Sequence, residues 1–245
     1  MKKFLSLGIF IITLIFAGSA NAGKLDIDIG LLAGQQDLFK SLSKELGSGA
    51  SYKATNPAGA LAGGLKPIAF DLGLEVSFID IDDGSAYWAL AAPDAPSLVP
   101  VPKLHAIVGL PMGIDIGAIY SRVPNSSISL IGFSGKYTVI KDSITLPAVA
   151  VRGTYTKVTG IDDLDFSTKS IDVSVSKKLT VFTPYAGVGQ VWVDSEPSVV
   201  GLVDESFSET KYFVGAKLKL ALVAITGEAE FAEVSTYTVK LSAGF

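Results

Sequence analysis

From residue 68 to the end of the chain, apolar side chains return at every second position, segment after segment. Ile68, Phe70, Leu72, Leu74, Val76 and Phe78 alternate with Ala69, Asp71, Gly73, Glu75 and Ser77. Ile114, Ile116, Ala118 and Tyr120 alternate with Asp115, Gly117, Ile119 and Ser121, and Ile131, Phe133, Gly135, Tyr137 and Val139 with Gly132, Ser134, Lys136 and Thr138. Val149, Val151 and Tyr155 oppose Arg152, Thr154 and Thr156, and Ile171, Val173 and Val175 oppose Asp172, Ser174 and Ser176. Tyr212, Val214, Ala216 and Leu218 oppose Lys211, Gly215, Lys217 and Lys219, and Ile225, Ala229 and Phe231 oppose Glu228 and Glu230. A repeat of two is the side-chain period of a β-strand, and no charge falls on any of these apolar faces. Two segments read less clearly: 102–110, and 183–194, where Trp192 shares its parity with Gln190 and Asp194.

A soluble β-sandwich also alternates, with the apolar face turned inward. Three features favour a membrane barrel instead. The polar faces are rich in Gly, Ser and Thr, as a narrow lumen requires. Tyr and Phe gather near strand ends, where aromatic girdles meet the membrane interface. Connections also alternate in length: Pro111-Met112-Gly113, Lys141-Asp142 and the stretches near Lys178 and Leu222 read as tight, and 81–101, 159–166 and 195–208 as long, although 124–126 and 234–235 are short. The chain has no apolar run long enough for a spanning helix after its first residues, so it crosses a bilayer by strands or not at all.

About ten strands are expected, over 67–79, 102–110, 114–123, 127–139, 145–158, 167–177, 183–194, 209–219, 223–233 and 236–245. The expected fold is all-β: a transmembrane antiparallel up-and-down barrel over 67–245, preceded at 23–66 by a segment containing a short helix. An even strand number puts both termini on the periplasmic side.

The N-terminus reads as a secretory signal over residues 1–22. Lys2 and Lys3 precede the apolar run Phe4–Ala17, and Ala20-Asn21-Ala22 places small residues at the cleavage site. There is no Cys, which excludes a lipoprotein anchor and disulfides. Without Lys2 and Lys3 the 20 basic residues fall to 18 against 24 acidic ones, a net charge of about −6 that disfavours nucleic acid.

At the other end, Tyr237, Val239, Leu241, Ala243 and Phe245 form one apolar face that stops on the terminal residue. This resembles the C-terminal assembly signal of bacterial outer-membrane proteins. The resemblance implies an outer-membrane location. It also implies lipid and lipopolysaccharide as surroundings, with periplasmic chaperones and the barrel-assembly machinery as partners in biogenesis.

Residues 23–66 stand apart. Phe39, Leu42 and Leu46 share one face of a helix expected from about Gln35 to Leu46, with Gly47 as its stop. A Gly-rich passage through Gly59, Gly63 and Gly64 follows. The segment is either a plug entering the lumen or a periplasmic helix shielding the barrel mouth. Asn56-Pro57-Ala58 resembles the Asn-Pro-Ala triplet of the long-chain fatty-acid transporter barrels, which would imply passage of hydrophobic molecules; a turn before a strand is the plainer reading. Leu104 to Tyr120, with its Val-Gly-Leu-Pro-Met-Gly, resembles a segment of uncharacterised small barrel proteins and implies a fold but no activity.

Parity turns Asp71, Glu75, Lys103, His105, Asp115, Lys136, Arg152, Lys217, Glu228, Glu230 and Lys240 toward the lumen, along with Asp172 and Lys219. Ion pairs across so narrow a barrel would occlude it, which favours a salt-bridged polar core over an ion-selective channel. His105 is the one His; with Ser121 and Asp115 nearby by parity it offers a catalytic group, but a hydrogen-bonding role inside the lumen fits better. The outer connections are acidic (Asp80, Asp82, Asp83, Asp94, Asp162, Asp163, Asp165, Glu196, Asp204, Glu205), and Tyr87 and Trp88 are placed to touch a ligand or the membrane surface. With a turn centred at 235, Glu230 lies directly across from Lys240. The expected function is a non-enzymatic narrow pore or structural surface protein without a cofactor or metal. The alternative is a transporter or binder of small hydrophobic molecules gated by 23–66.

Overall fold

The computed structural model describes residues 25–63 and 67–244; the signal peptide expected at 1–22, Gly64 and Phe245 lie outside them. Ten strands follow one another around the barrel: β1 Ala69–Asp80, β2 Leu98–Leu110, β3 Ile114–Arg122, β4 Ser129–Ile140, β5 Ala148–Thr159, β6 Leu164–Ser176, β7 Phe182–Pro197, β8 Glu205–Leu220, β9 Val223–Phe231 and β10 Ser235–Gly244. Each pairs antiparallel with its sequence neighbours, and β1 with β10 closes the ring from Asp71–Gly244 to Asp80–Ser235. Closure removes the unpaired strand edges that lipid cannot satisfy.

Which face is buried separates this barrel from a soluble sandwich. Leu72 is 51% exposed and Asp71 3%; Ile171 is 49% exposed and Asp172 2%. Outward positions such as Leu104, Ile116, Phe133, Val173 and Val214 form an exposed apolar belt, and the charged parity points inside. A soluble protein would bury the belt, because each large apolar side chain gains about 1.5–3 kcal/mol on leaving water. Here lipid takes the place of that core.

The start of β1 and the end of β10 share the barrel end that carries 111–113, 141–147, 177–181 and 221–222, called below the turn end. The opposite, loop end carries 81–97, 123–128, 160–163, 198–204 and 232–234. Two expected lengths are corrected. The Lys141-Asp142 turn extends over 141–147, and the 159–166 loop shortens to 160–163 because β5 and β6 run on, with Asp163 (φ 60) and Gly160 (φ +86) making a tight reversal.

Before β1 the chain makes a 3-10 turn, Ile29–Leu32, and the helix α1, Gln36–Ala50. α1 packs on the inner faces of β6, β7 and β8, with Phe39 and Leu42 fully buried. It does not stop at Gly47. A Cβ there would lie 2.5 Å from a methyl of Val193, so this glycine serves close approach to the wall and the helix continues to Ala50. Residues 51–61 then run down the lumen to the turn end. The amide of Asp28 donates to the carbonyl of Ala91, in the helix α2 (Ala86–Ala91) of the first outer connection, so the chain ahead of α1 sits at the loop end. The expectation that an even strand number leaves both ends of the chain on one side therefore holds for the strands alone. The lead-in to β1 passes back through the barrel.

This packing explains the ambiguous β7, and the loop-end part of β2, ahead of 102–110, shares it. Inward Val191 and Val193 of β7 are fully buried, and inward Val99 and Val101 of β2 join the same apolar cluster as Phe39, Leu42 and Leu32. Trp192 points outward, 43% exposed. On β7 the inward face near the loop end is therefore apolar, against the N-terminal segment, while Gln190, Trp192 and Asp194 turn outward, so parity there runs opposite to that of the other strands.

Candidate functional site: the charged lumen

An extended segment with no strand partner leaves its own N–H and C=O groups to be satisfied. In residues 52–61 the barrel wall does this with side chains. Lys211 donates to the carbonyl of Tyr52 (3.0 Å), Arg152 to that of Ala54 (2.9 Å), Thr138 to that of Ala58 (2.9 Å), and Lys136 to those of Pro57 and Gly59 (2.9 Å each). Glu228 accepts from the amide of Thr55 (2.7 Å), and Asp115 from that of Leu61 (3.2 Å). Lys217 reaches the side-chain oxygen of Asn56 at 3.2 Å. The Asn-Pro-Ala triplet is thus a stretch of the lumen filling, with Ala58 buried against Ala148 and Ala150.

The same wall groups neutralise one another. Glu75 meets Lys103 at 3.3 Å and Nδ1 of His105 at 3.1 Å; Asp71 meets Lys217 at 2.7 Å and Lys240 at 3.8 Å. Asp115 meets Lys136 at 2.8 Å, and Asp172 meets Arg152 at 3.1 Å. Glu230 takes two cations, Lys53 of the N-terminal segment at 2.6 Å and Lys211 at 3.2 Å. All the predicted lumen residues are buried except Lys217, which is half-buried toward the turn end, and Lys219 lies exposed at the rim.

His105 is not joined to Ser121 and Asp115. Its Nε2 lies 3.0 Å from the Tyr52 hydroxyl, while Ser121 donates to the carbonyl of Pro102 at 2.7 Å and Asp115 pairs with Lys136. Glu230 is not opposite Lys240 either: it pairs with Thr236, and Lys240 with Thr226, a slip of four residues. The turn falls at 232–234 because Val234 is drawn into the apolar cluster, where its amide and carbonyl both meet the Ser48 hydroxyl (3.3 and 3.4 Å). Lys240 keeps its place in the seam, opposite Glu75 of β1.

Parity on the strands cannot reveal the groups the N-terminal segment contributes. Tyr52, Lys53 and Thr55 carry one signal in the sequence: Lys53 is the single charge between Glu45 and Lys66. Trp88 is buried, touching neither solvent ligand nor membrane; its Nε1–H and the Tyr87 hydroxyl donate to Glu45 of α1 at 2.7 and 2.8 Å. Burial, with Glu45 beside it, pushes the Tyr87 hydroxyl up to about 12, so it remains a donor. Of the acidic loop residues, Glu205 is held by Gln36 at 2.7 Å and Lys40 at 3.4 Å, and Asp165 by Lys157. Among the described residues no three His, Asp or Glu side chains converge as metal ligands would.

At the turn end the filling stops short. A cavity of about 780 Å³ opens there, lined by Leu61 and Ala62 of the N-terminal segment, by Ile107 and Met112, and by lysines of β4, β8 and the turns.

An apolar belt outside, charge inside and full closure define a bacterial outer-membrane β-barrel, one whose lumen is occupied by its own N-terminal segment. The chain belongs to a family of unknown function, DUF6588, whose profile matches residues 91–245. No curated protein matches it in sequence. Solved structures similar to it include Ail of Yersinia pestis (12% identity, TM-score 0.31, covering 73% of this chain and 97% of Ail). Omp33 of Acinetobacter baumannii is similar at 7% identity and TM-score 0.33, covering 72% of this chain and 97% of Omp33. The KdgM porin is similar at 8% identity and TM-score 0.37, covering 71% of this chain and 99% of the porin.

Proposed function

We propose that the protein is a non-enzymatic outer-membrane barrel held shut by its N-terminal segment, a gated conduit rather than an open narrow pore. One observation carries this reading: Lys136, Arg152 and Lys211 of the wall donate to backbone carbonyls of residues 52–59 as well as to their own carboxylate partners. Hydrogen bonds to charged groups contribute about 1.5–3 kcal/mol each, so the segment is seated firmly yet by contacts that can be exchanged for water. Planar-bilayer recording tests it. The full protein should be silent, and a variant lacking residues 23–66 should conduct. Steady conductance by the full protein would overturn the reading.

A second reading is passage or capture of small hydrophobic molecules. It is favoured by the apolar half of the lumen at the loop end, where Leu25, Ile27 and Leu46 face Val99, Val123 and Phe166 around a void of about 60 Å³. The Asn-Pro-Ala resemblance points the same way. Saturable uptake of an uncharged naphthylamine dye by vesicles holding the protein, abolished by crosslinking α1 to β7, would support it.

A further inference from the structure

We infer that the turn-end cavity is a binding site for a small amphipathic anion, its acidic group held by Lys141 and Lys178 and its apolar body lying on Leu61, Ile107 and Met112. The cavity's volume of about 780 Å³ is that of a pocket for a ligand of drug size. Its lining is divided around the mouth. On the β4–β8 side stand Lys136, Lys141, Lys178, Lys217 and Lys219; on the β1–β3 side stand Ile107, Pro111 and Met112, continued by Leu61 and Ala62.

The cationic side is not neutralised from within. The two carboxylates in the lining are already engaged, Asp115 with Lys136 at 2.8 Å and Asp142 with Lys177 at 3.5 Å. Lys217 is taken by Asp71 and Asn56. That leaves the exposed Lys141 and Lys178 without an acidic partner among the described residues, on adjacent turns of the same rim. Two ammonium groups over a concave, partly apolar wall select an anion, and the wall selects one with an apolar body.

The apolar side is displayed by a tight turn. Met112 adopts φ +69, a left-handed conformation uncommon outside glycine, and presents its side chain 79% exposed at the mouth. Positive φ recurs at Thr180 and Ala221 in the neighbouring turns, so the turn conformation is ordinary here and it is the exposed apolar side chain of Met112 that the cavity offers a ligand. The same ligand chemistry has two sources, a dissolved organic anion or an anionic phospholipid of the adjoining leaflet.

The test uses the full protein in phosphatidylcholine nanodiscs, titrated with 1-anilinonaphthalene-8-sulfonate and, separately, with the uncharged N-phenyl-1-naphthylamine. We expect saturable binding of the sulfonate above that of empty discs. In the double variant Lys141→Gln/Lys178→Gln it should weaken about tenfold, the scale of losing two exposed charge contacts. The neutral dye should bind both proteins alike, and Lys40→Gln, at the loop end, should change nothing. Discs containing phosphatidylglycerol separate the sources: competition with the dye assigns the site to a lipid headgroup, and unchanged binding assigns it to a dissolved anion. Three results would overturn the inference: no saturable signal, equal sulfonate affinity in the double variant, or equal loss of both dyes. Heat-modifiable gel mobility verifies that each variant is folded.

Discussion

The ammonium of Lys53 and the carboxylate of Glu230 lie 2.6 Å apart, their side chains 0% and 2% exposed, joining the N-terminal segment to the wall of β9. Removing one member of a buried pair strands the other charge, at about 3–5 kcal/mol. Lys53→Met leaves Glu230 with Lys211 at 3.2 Å as its one cation, beside the Ser51 hydroxyl at 3.3 Å. Since neither wall residue changes, the barrel should fold and keep its heat-modifiable mobility. The seating of the segment should weaken, giving intermittent conductance in planar bilayers. A variant as silent as the wild type would show that the pair does not hold the gate.

Short turns at one end and the longest connection, 81–97, at the other predict which side of the membrane each end faces. The chain contains no Cys, so single substitutions report cleanly. Leu31→Cys, 56% exposed at the loop end, should react with an impermeant maleimide on intact cells. Ile144→Cys, 99% exposed in the 141–147 turn, should react only after the outer membrane is breached. The reverse pattern would invert the barrel.

Gly47 and Gly160 should resist substitution for different reasons. At Gly47 an added Cβ meets the side chain of Val193, and overpacking of this kind costs about 1–3 kcal/mol. Gly47→Val should therefore lower the temperature at which the folded gel band is lost, and Val193→Ala should restore part of it. At Gly160, φ is +86 and a Cβ would lie 2.1 Å from the carbonyl oxygen of Ser127, so no side-chain change relieves Gly160→Ala.

The seam between β1 and β10 makes a prediction about coupling. In a double-mutant cycle, Asp71→Asn with Lys240→Met should show about 0.5–3 kcal/mol of interaction, because the groups lie 3.8 Å apart inside the barrel. Glu230→Gln with Lys240→Met should show much less, since Glu230 faces Thr236. Equal coupling in both cycles would contradict the register.

Deletion of Phe245 tests the assembly signal that the terminal strand resembles. Outer-membrane levels of the variant should fall and unfolded chain should collect in the periplasm. Normal levels would mean that the face Tyr237, Val239, Leu241 and Ala243 suffices without it.

What the sequence determined by itself was whatever depends on the strand period. A repeat of two is a property of the extended backbone, so ten strands, their order and an up-and-down barrel follow from residues such as Leu72 and Asp71 read in turn. The same reading failed where a second apolar environment was present. Val191 and Val193 face α1 while Gln190, Trp192 and Asp194 point outward, and periodicity cannot say which face of a strand turns inward. Glycine's backbone freedom, a local property, marks Gly47 as a helix stop, whereas its closeness to Val193 spans the fold and keeps the helix going. The last hairpin slipped by four residues because a contact from Ser48 to Val234, 186 positions away, places the turn. Lys53 against Glu230 and Tyr52 against His105 belong to the same kind: each joins an irregular segment to a strand. Only the closed barrel, by forcing that segment's backbone groups to find partners in its wall, decides where they meet.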